Sequence, residues 1–223
     1  MAAMDDVVFL LDVDNTLLDN DRLIDDLMQH LEQQFGAAGR DGYQIILEQM
    51  RTELGYVDYL GAMQRFRLAN MRDTRALLMS AFLIDYPFAE RIYPGVPGAV
   101  AHLRQWGRTV ILSDGDAVFQ PHKIQRSGLW QMVEGRVLIY VHKEQMLDDV
   151  ARLYPSRHYV MVDDKLSILS AMKTAWGAQL TTVFPRQGHY AREPKNLAAY
   201  PAADITVENF SELLKQDFSA LLA

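Results

Sequence analysis

The chain has 223 residues, 49% of them apolar, enough to bury a full core with room for a modest insert. Its formal net charge of −7 argues against a nucleic-acid partner, because phosphate backbones are bound through basic patches. The absence of cysteine excludes disulfides, thiolate catalysis and cysteine-held metals. No apolar run approaches the roughly 20 residues that a membrane helix needs. The N-terminus also lacks a basic segment followed by an apolar core, so a soluble cytoplasmic protein that meets no membrane is expected.

Five apolar residues, Val7 to Leu11, predict a buried strand of a parallel sheet. It ends on Asp12, with a second acid at Asp14, and ligands of open α/β sheets bind at the carboxyl ends of strands. Acids at the edge of a core need a cation or a reaction to hold them there. A strand running into an ordinary polar turn is the competing reading. Leu23, Leu27, Leu31 and Phe35, then Ile46, Met50 and Leu54, recur at helical spacing. Further helices are predicted over Tyr59 to Asn70 and Asp73 to Ile84. After the punctuation at Pro94–Gly98, helix and strand alternate. Helices are expected over Ala99–Trp106, Phe119–Ser127, Lys143–Tyr154 and Ser167–Trp176, and strands over Thr109–Leu112, Arg136–Val141, His158–Val162 and Gln179–Phe184. A short strand at Asp204–Val207 and a closing helix complete the pattern. Such alternation implies a Rossmann-like parallel sheet with helices on both faces. The helical block is then an insertion, giving a core of residues 1–19 and 94–223 and an all-helical unit of 20–93.

Four short segments carry a resemblance. Asp12-Val13-Asp14-Asn15-Thr16-Leu17, the strand Val110 to Leu112 ending in Ser113-Asp114, the lone Lys143, and Val160 to Val162 ending in Asp163-Asp164 occur in the order of the four motifs of the haloacid dehalogenase-like hydrolases. The set resembles that family's phosphatases and spans nearly the whole chain. Lys143 departs from the frequent Lys-Pro form, and Asp163-Asp164 matches the paired-Asp variant of the fourth motif. The resemblance implies that the helical insert is a cap over the active site.

It also implies roles. Asp12 would be the nucleophile forming an aspartyl-phosphate, and Asp14 the general acid/base, with its backbone carbonyl on a metal. Ser113 and Lys143 would hold phosphoryl oxygens, aided by backbone N–H groups near Val13, Asp14 and Asp114. If the strand ends converge, Asp12, Asp14, Asp163 and Asp164 place four carboxylates together. Such a cluster needs a cation, and an all-oxygen site suits Mg²⁺. The expected partner is a small phosphorylated metabolite.

Alternatives within the superfamily are a phosphomutase and a 2-haloacid dehalogenase. Dehalogenases of the family need no metal and lack an acid at the position of Asp14. A non-catalytic phospho-acceptor or binding protein is the alternative of another class, and its motif order differs from the one here. The residues fix neither the natural substrate nor the oligomeric state. Arg65, Arg67, Arg72 and Arg75 are expected on a solvated helix face, Arg186–Arg192 in a plain connector, and Met50, Met63, Met71 and Met79 packed inside the helical insert.

Overall fold

The computed structural model describes residues 5–222; the first four residues and Ala223, which the expected core boundaries include, lie outside the described residues. Six strands form one parallel sheet: β1 (Asp5–Leu11), β2 (Arg108–Asp114), β3 (Val137–Tyr140), β4 (Ser156–Val162), β5 (Leu180–Pro185) and β6 (Ile205–Val207). Their order is β3-β2-β1-β4-β5-β6, with every neighbouring pair parallel. This is the doubly wound order, which reverses between β1 and β4 and leaves a crevice at their carboxyl ends. The expected Rossmann-like α/β core is therefore the observed one.

The apolar run of β1 is buried on both sides. Val7, Phe9 and Leu11 enter one hydrophobic core, while Val8 and Leu10 enter another. The second core is closed by α7 (Leu147–Leu153) and α8 (Leu166–Trp176), through Leu147, Val150, Leu169 and Met172. The first is closed by α4 (Val96–Leu103) and α5 (Phe119–Arg126), through Val100, Leu103 and Ile124. This same core continues without a break into the helical segment between β1 and β2, taking in Leu23, Leu27, Leu31, Tyr43, Tyr59 and Phe66.

That segment consists of α1 (Asn20–Leu54), α2 (Tyr59–Ala69) and α3 (Met79–Ile84), with a 3₁₀ turn at Thr74–Leu77. Asp19 caps α1 by accepting from the Arg22 N–H at 3.0 Å, and Asp58 caps α2 through the Gly61 N–H at 2.7 Å. The chain enters and leaves the segment side by side. The Asp19 N–H donates to the Arg91 carbonyl at 2.8 Å, and the Tyr93 N–H donates to the Leu17 carbonyl at 3.0 Å. Within α1 the helix is broken at Gly36, whose φ of 71° and ψ of 178° no helix can carry. Phe35 and Tyr43, on either side of the break, both meet the Phe66 ring edge-to-face.

Several predicted details differ. The stretch expected as one helix over Asp73–Ile84 is the 3₁₀ turn followed by α3, since Asp73 caps the turn rather than a full helix. The closing helix is two 3₁₀ turns, Phe210–Lys215 and Ser219–Leu221. Lys143 opens a 3₁₀ turn ahead of α7. Two short helices, α6 (Leu129–Met132) and α9 (Pro194–Ala199), carry too few residues to show a period. Met50, Met63 and Met79 are buried as expected, but Met71 is 76% exposed. No helix among the described residues is long and apolar enough to cross a membrane.

The break in α1 is a direct test of backbone strain. Gly36→Ala meets no steric obstacle, because nothing lies within 4 Å of the added carbon. It nevertheless forces alanine into a backbone region reserved for glycine, at a cost of about 1–3 kcal/mol. Urea unfolding should show that loss; an unchanged midpoint would mean that α1 can run straight.

Candidate active site

Register brings the motif residues level. Leu11 pairs with Val162 and with Ile111, so Asp12 and Asp163 each follow the last paired residue of adjacent strands, and Ser113 lies two positions beyond Ile111. The Asp12 N–H donates to the Val162 carbonyl at 3.0 Å and the Asp163 N–H to the Val183 carbonyl at 3.1 Å. Carboxylate oxygens of Asp12, Asp163 and Asp164 all lie within 4.8 Å of one another, and all three residues are buried.

Lys143 reaches this group from the loop after β3. Its backbone N–H donates to Asp114 Oδ1 at 2.8 Å, which anchors the turn. Its Nζ lies 2.5 Å from Asp12 Oδ1 and 2.6 Å from Asp163 Oδ2, and the side chain is 2% exposed. The Asp163 contact has ion-pair distance without hydrogen-bond alignment, so that oxygen remains unsatisfied in the hydrogen-bond sense. Burial acts to lower the Lys143 pKa, but the carboxylates of Asp12, Asp163 and Asp114 override it and hold the ammonium charged. Burial pushes Asp163 up to about 6 against the pull of Lys143. Asp164 is also pushed well up, by burial first and then by the charges of Asp163 and Asp12. Both Asp164 oxygens are buried without a hydrogen-bond partner.

The expected cluster of four carboxylates is a cluster of three. Asp14 is turned to a different cation: its Oδ1 lies 2.5 Å from Nζ of Lys123, and its Oδ2 lies 3.5 Å from the Gln120 amide nitrogen. Lys123 is fully buried and also donates to Asn20 Oδ1 at 3.2 Å, while the Asn20 amide donates to the Tyr59 hydroxyl at 3.3 Å. Gln120 donates to Ser113 Oγ at 2.9 Å, tying the second motif to the same network.

The turn after β1 is folded on itself. The N–H groups of Thr16, Leu17 and Leu18 donate to the Val13 carbonyl, and Asn15 takes a positive φ of 60°. The Asn15 side-chain oxygen then accepts from the Asn20 and Asp21 N–H groups, both at 3.1 Å, at the start of α1. Thr16 Oγ1 accepts from the Asp164 N–H at 3.1 Å. Among the described residues, the N–H groups of Val13 and Asp14 donate to no protein acceptor, an arrangement suited to an anion.

The haloacid dehalogenase-like hydrolase family matches residues 7–175, which include all four motif segments. The chain belongs to the haloacid dehalogenase-like hydrolases. A structure from Burkholderia xenovorans LB400, assigned to the same group, is 64% identical, covering 97% of this chain and 99% of that one with a TM-score of 0.92. Two distant structures share the fold. YfnB of Bacillus subtilis, described as a HAD-hydrolase bound to magnesium, is 16% identical at TM-score 0.60, and L-2-haloacid dehalogenase of Xanthobacter autotrophicus is 15% identical at TM-score 0.59. In both cases 93% of this chain and 96% of the other are covered. No curated protein matches the sequence.

Sequence reasoning missed Lys123, Gln120, Asn20 and Lys165 in this hydrolase. The signal for the first two lay in α5, where Phe119, Gln120, Lys123 and Ile124 share the buried face, so a lysine stood on an apolar stripe. Lys165 directly follows the acid pair. Of the arginines in the inserted helices, Arg65 pairs with exposed Glu53 and Arg75 with Asp73, the solvated arrangement expected. The Arg186–Arg192 stretch is more than a connector: Gln187 accepts from the Phe210 N–H, His189 bonds to Asp21, and the Tyr190 hydroxyl accepts from Arg51.

The Lys123–Asp14 pair yields a stability test. Removing one member of a buried pair costs roughly 3–5 kcal/mol, and the partial exposure of Asp14 puts this one at the low end. Lys123→Met should lower unfolding free energy by roughly 3 kcal/mol, measured by denaturant titration. A loss under ~1 kcal/mol would mean that the pair is dispensable.

Proposed function

We propose that this hydrolase is a Mg²⁺-dependent phosphatase acting on a small phosphorylated metabolite through an aspartyl-phosphate on Asp12. The reading rests on one observation: the Asp164 carboxylate is buried, unpartnered, and beside two further carboxylates that share a single close ammonium. Three oxygen donors in a dry pocket fit a hard divalent cation, and the donor set lacks the nitrogen and sulfur ligands of softer metals. Asp12, Asp163 and Asp164 would hold the ion, with the Asp14 backbone carbonyl as a further ligand. When bound, Mg²⁺ would neutralise charge on the carboxylates and the phosphoryl oxygens.

The side chains then divide the work. Lys143 occupies Oδ1 of Asp12, which leaves Oδ2 to attack phosphorus as the bond to the leaving oxygen breaks. Asp14 gives its proton to that oxygen. It then takes a proton from the water that attacks the aspartyl-phosphate, releasing phosphate and restoring Asp12. Lys123 and Gln120 fix the direction of the Asp14 carboxyl. Ser113 Oγ and the free N–H groups of Val13 and Asp14 would receive the phosphoryl oxygens. The inserted helices would act as a cap that excludes bulk water and sets specificity, with the paired backbone at Asp19 and Arg91 as its two-stranded base.

Asp14 also separates this reading from carbon–halogen cleavage, because an attack on carbon that expels halide has no leaving oxygen to protonate. Asp12→Asn should abolish phosphate release from a generic monoester, and a chelator should do the same to the unaltered enzyme. Mg²⁺ at about 100 times its Kd should stabilise the unaltered enzyme by roughly 2.7 kcal/mol, and Asp164→Asn should lose that gain. Full turnover in Asp12→Asn, or halide release from a 2-haloacid without metal, would overturn the assignment.

A further inference from the structure

A cavity of about 210 Å³ opens where the inserted helices meet the core, lined by Arg51, Lys165, Ser167, Tyr190, Asn196 and Tyr200. Its walls come from three places: the last turn of α1, the start of α8 next to the acid pair, and the stretch from Tyr190 through α9 to Tyr200. It adjoins the candidate site on two counts. The Lys165 N–H donates to Asp163 Oδ1 at 2.8 Å. On the opposite wall, the segment carrying Tyr190 packs against the turn that bears Asp14, so closely that a Cβ on Gly188 would lie 2.4 Å from the Asn15 Cβ.

The lining is cationic. Arg51 donates to the Tyr190 hydroxyl and lies 5.9 Å from the centre of its ring, while Lys165 Nζ lies 5.0 Å from the same centre. One aromatic side chain therefore positions two cations. Among the described residues, the Lys165 ammonium makes no hydrogen bond and no ion pair; the acids of the trio act on it from beyond contact. No acidic residue lines the cavity. The Arg51 countercharge, Glu48, stands 3.8 Å away on the exposed side.

We propose that the substrate is a phosphate monoester whose leaving group carries a second anionic group, carboxylate or phosphate, bound in this cavity by Arg51 and Lys165. This rests on the phosphatase reading above and names its substrate class. A guanidinium fork matches either group in bidentate fashion, and the free ammonium supplies a second charge without breaking an existing pair. The volume falls below the roughly 300–1,000 Å³ of pockets for drug-sized ligands, so the leaving group is a few heavy atoms long. The charge on Lys165 also offsets the carboxylate trio that such a trianionic or tetraanionic substrate must approach.

Three matched probes test it: n-propyl phosphate and its 3-carboxylate and 3-phosphate analogues, each with Mg²⁺, read by phosphate release. At least one charged analogue should exceed the neutral ester by tenfold or more in kcat/KM, and the better of the two identifies the anion. Arg51→Gln, at a partly exposed position, should bring that ratio close to one, and so should Lys165→Gln. Circular dichroism checks that both variants fold. Calorimetry on Asp12→Asn gives a readout independent of turnover, where the charged analogue should bind at least tenfold more tightly than the neutral one. Equal use and equal binding of all three probes, or an undiminished preference in Arg51→Gln, would overturn the inference. Release from none of them, nor from p-nitrophenyl phosphate, with the binding preference intact would instead count against the phosphatase reading alone.

Discussion

The structure of this site depends on one buried ammonium. Lys143 sits between Asp12 and Asp163 with almost no access to water, so each of the three groups is tolerable there because of the others. Carboxylates brought this close in a dry setting raise one another's proton affinity. Burial, and then the neighbouring carboxylates, push Asp163 and Asp164 upward despite the pull of Lys143 and Lys165. Lys143 satisfies the nucleophile candidate and one further acid; Asp164 is left with both oxygens bare. The deficit is therefore local and has a definite place in the molecule. Were Lys143 missing, the same three acids would sit together with no close cation, and at least one would have to take a proton or move into solvent.

The fold makes that placement cheap to specify. Strands β1 and β4 lie on either side of the point where the strand order reverses, and their last paired residues are in register. One residue beyond each then arrives at the same level without any special loop. Lys143 comes from further away, and its position depends on the Asp114 carboxylate catching its N–H at the end of β2. Thr16 does the equivalent for the fourth motif by accepting from the Asp164 N–H, so the turn that carries Asp14 is tied to the strand end that carries the acid pair. The backbone geometry around the site is thus fixed by the Asp114 and Thr16 side chains, neither of which belongs to the carboxylate trio.

Much of this was legible in the residues. Five apolar positions before Asp12 can only be a strand buried on both faces, and the alternation after Pro94 fixes a parallel sheet. Asp12, Ser113, Asp163 and Asp164 stand out at strand ends and Lys143 by its place in the motif order; the structure gathers Asp12, Lys143, Asp163 and Asp164, while Ser113 bonds to Gln120. What escaped were residues whose significance is purely tertiary. Lys123 stands in the middle of an ordinary amphipathic helix, and nothing local says that its inward face meets Asp14. The same holds for Tyr190, whose surroundings carry no motif and whose partners lie 139 residues away in Arg51 and beside the acid pair in Lys165. The expectation that Asp14 joins the other carboxylates failed because spacing along a strand cannot report a turn. The Val13 carbonyl gathers three N–H groups, the chain doubles back, and the Asp14 side chain faces α5 instead.

The seam between the inserted helices and the sheet is where these missed residues collect, and its energetics differ from those of the rest of the molecule. Apolar contact across it is made by aromatic edges, Tyr59 and Phe88 against Phe119, worth about 0.5–1.5 kcal/mol each beyond the area they bury. Around those rings the contacts are polar: Asn20 with Lys123, His189 with Asp21, and Arg51 with Tyr190. The apolar core also runs across the seam, joining Leu23, Leu27 and Leu31 of α1 to Phe9 and Leu11 of β1. A ligand held by both Arg51 of α1 and Lys165 at the start of α8 would favour the arrangement in which these two elements face one cavity. The two cations that line that cavity both lie outside the four motif segments of the family.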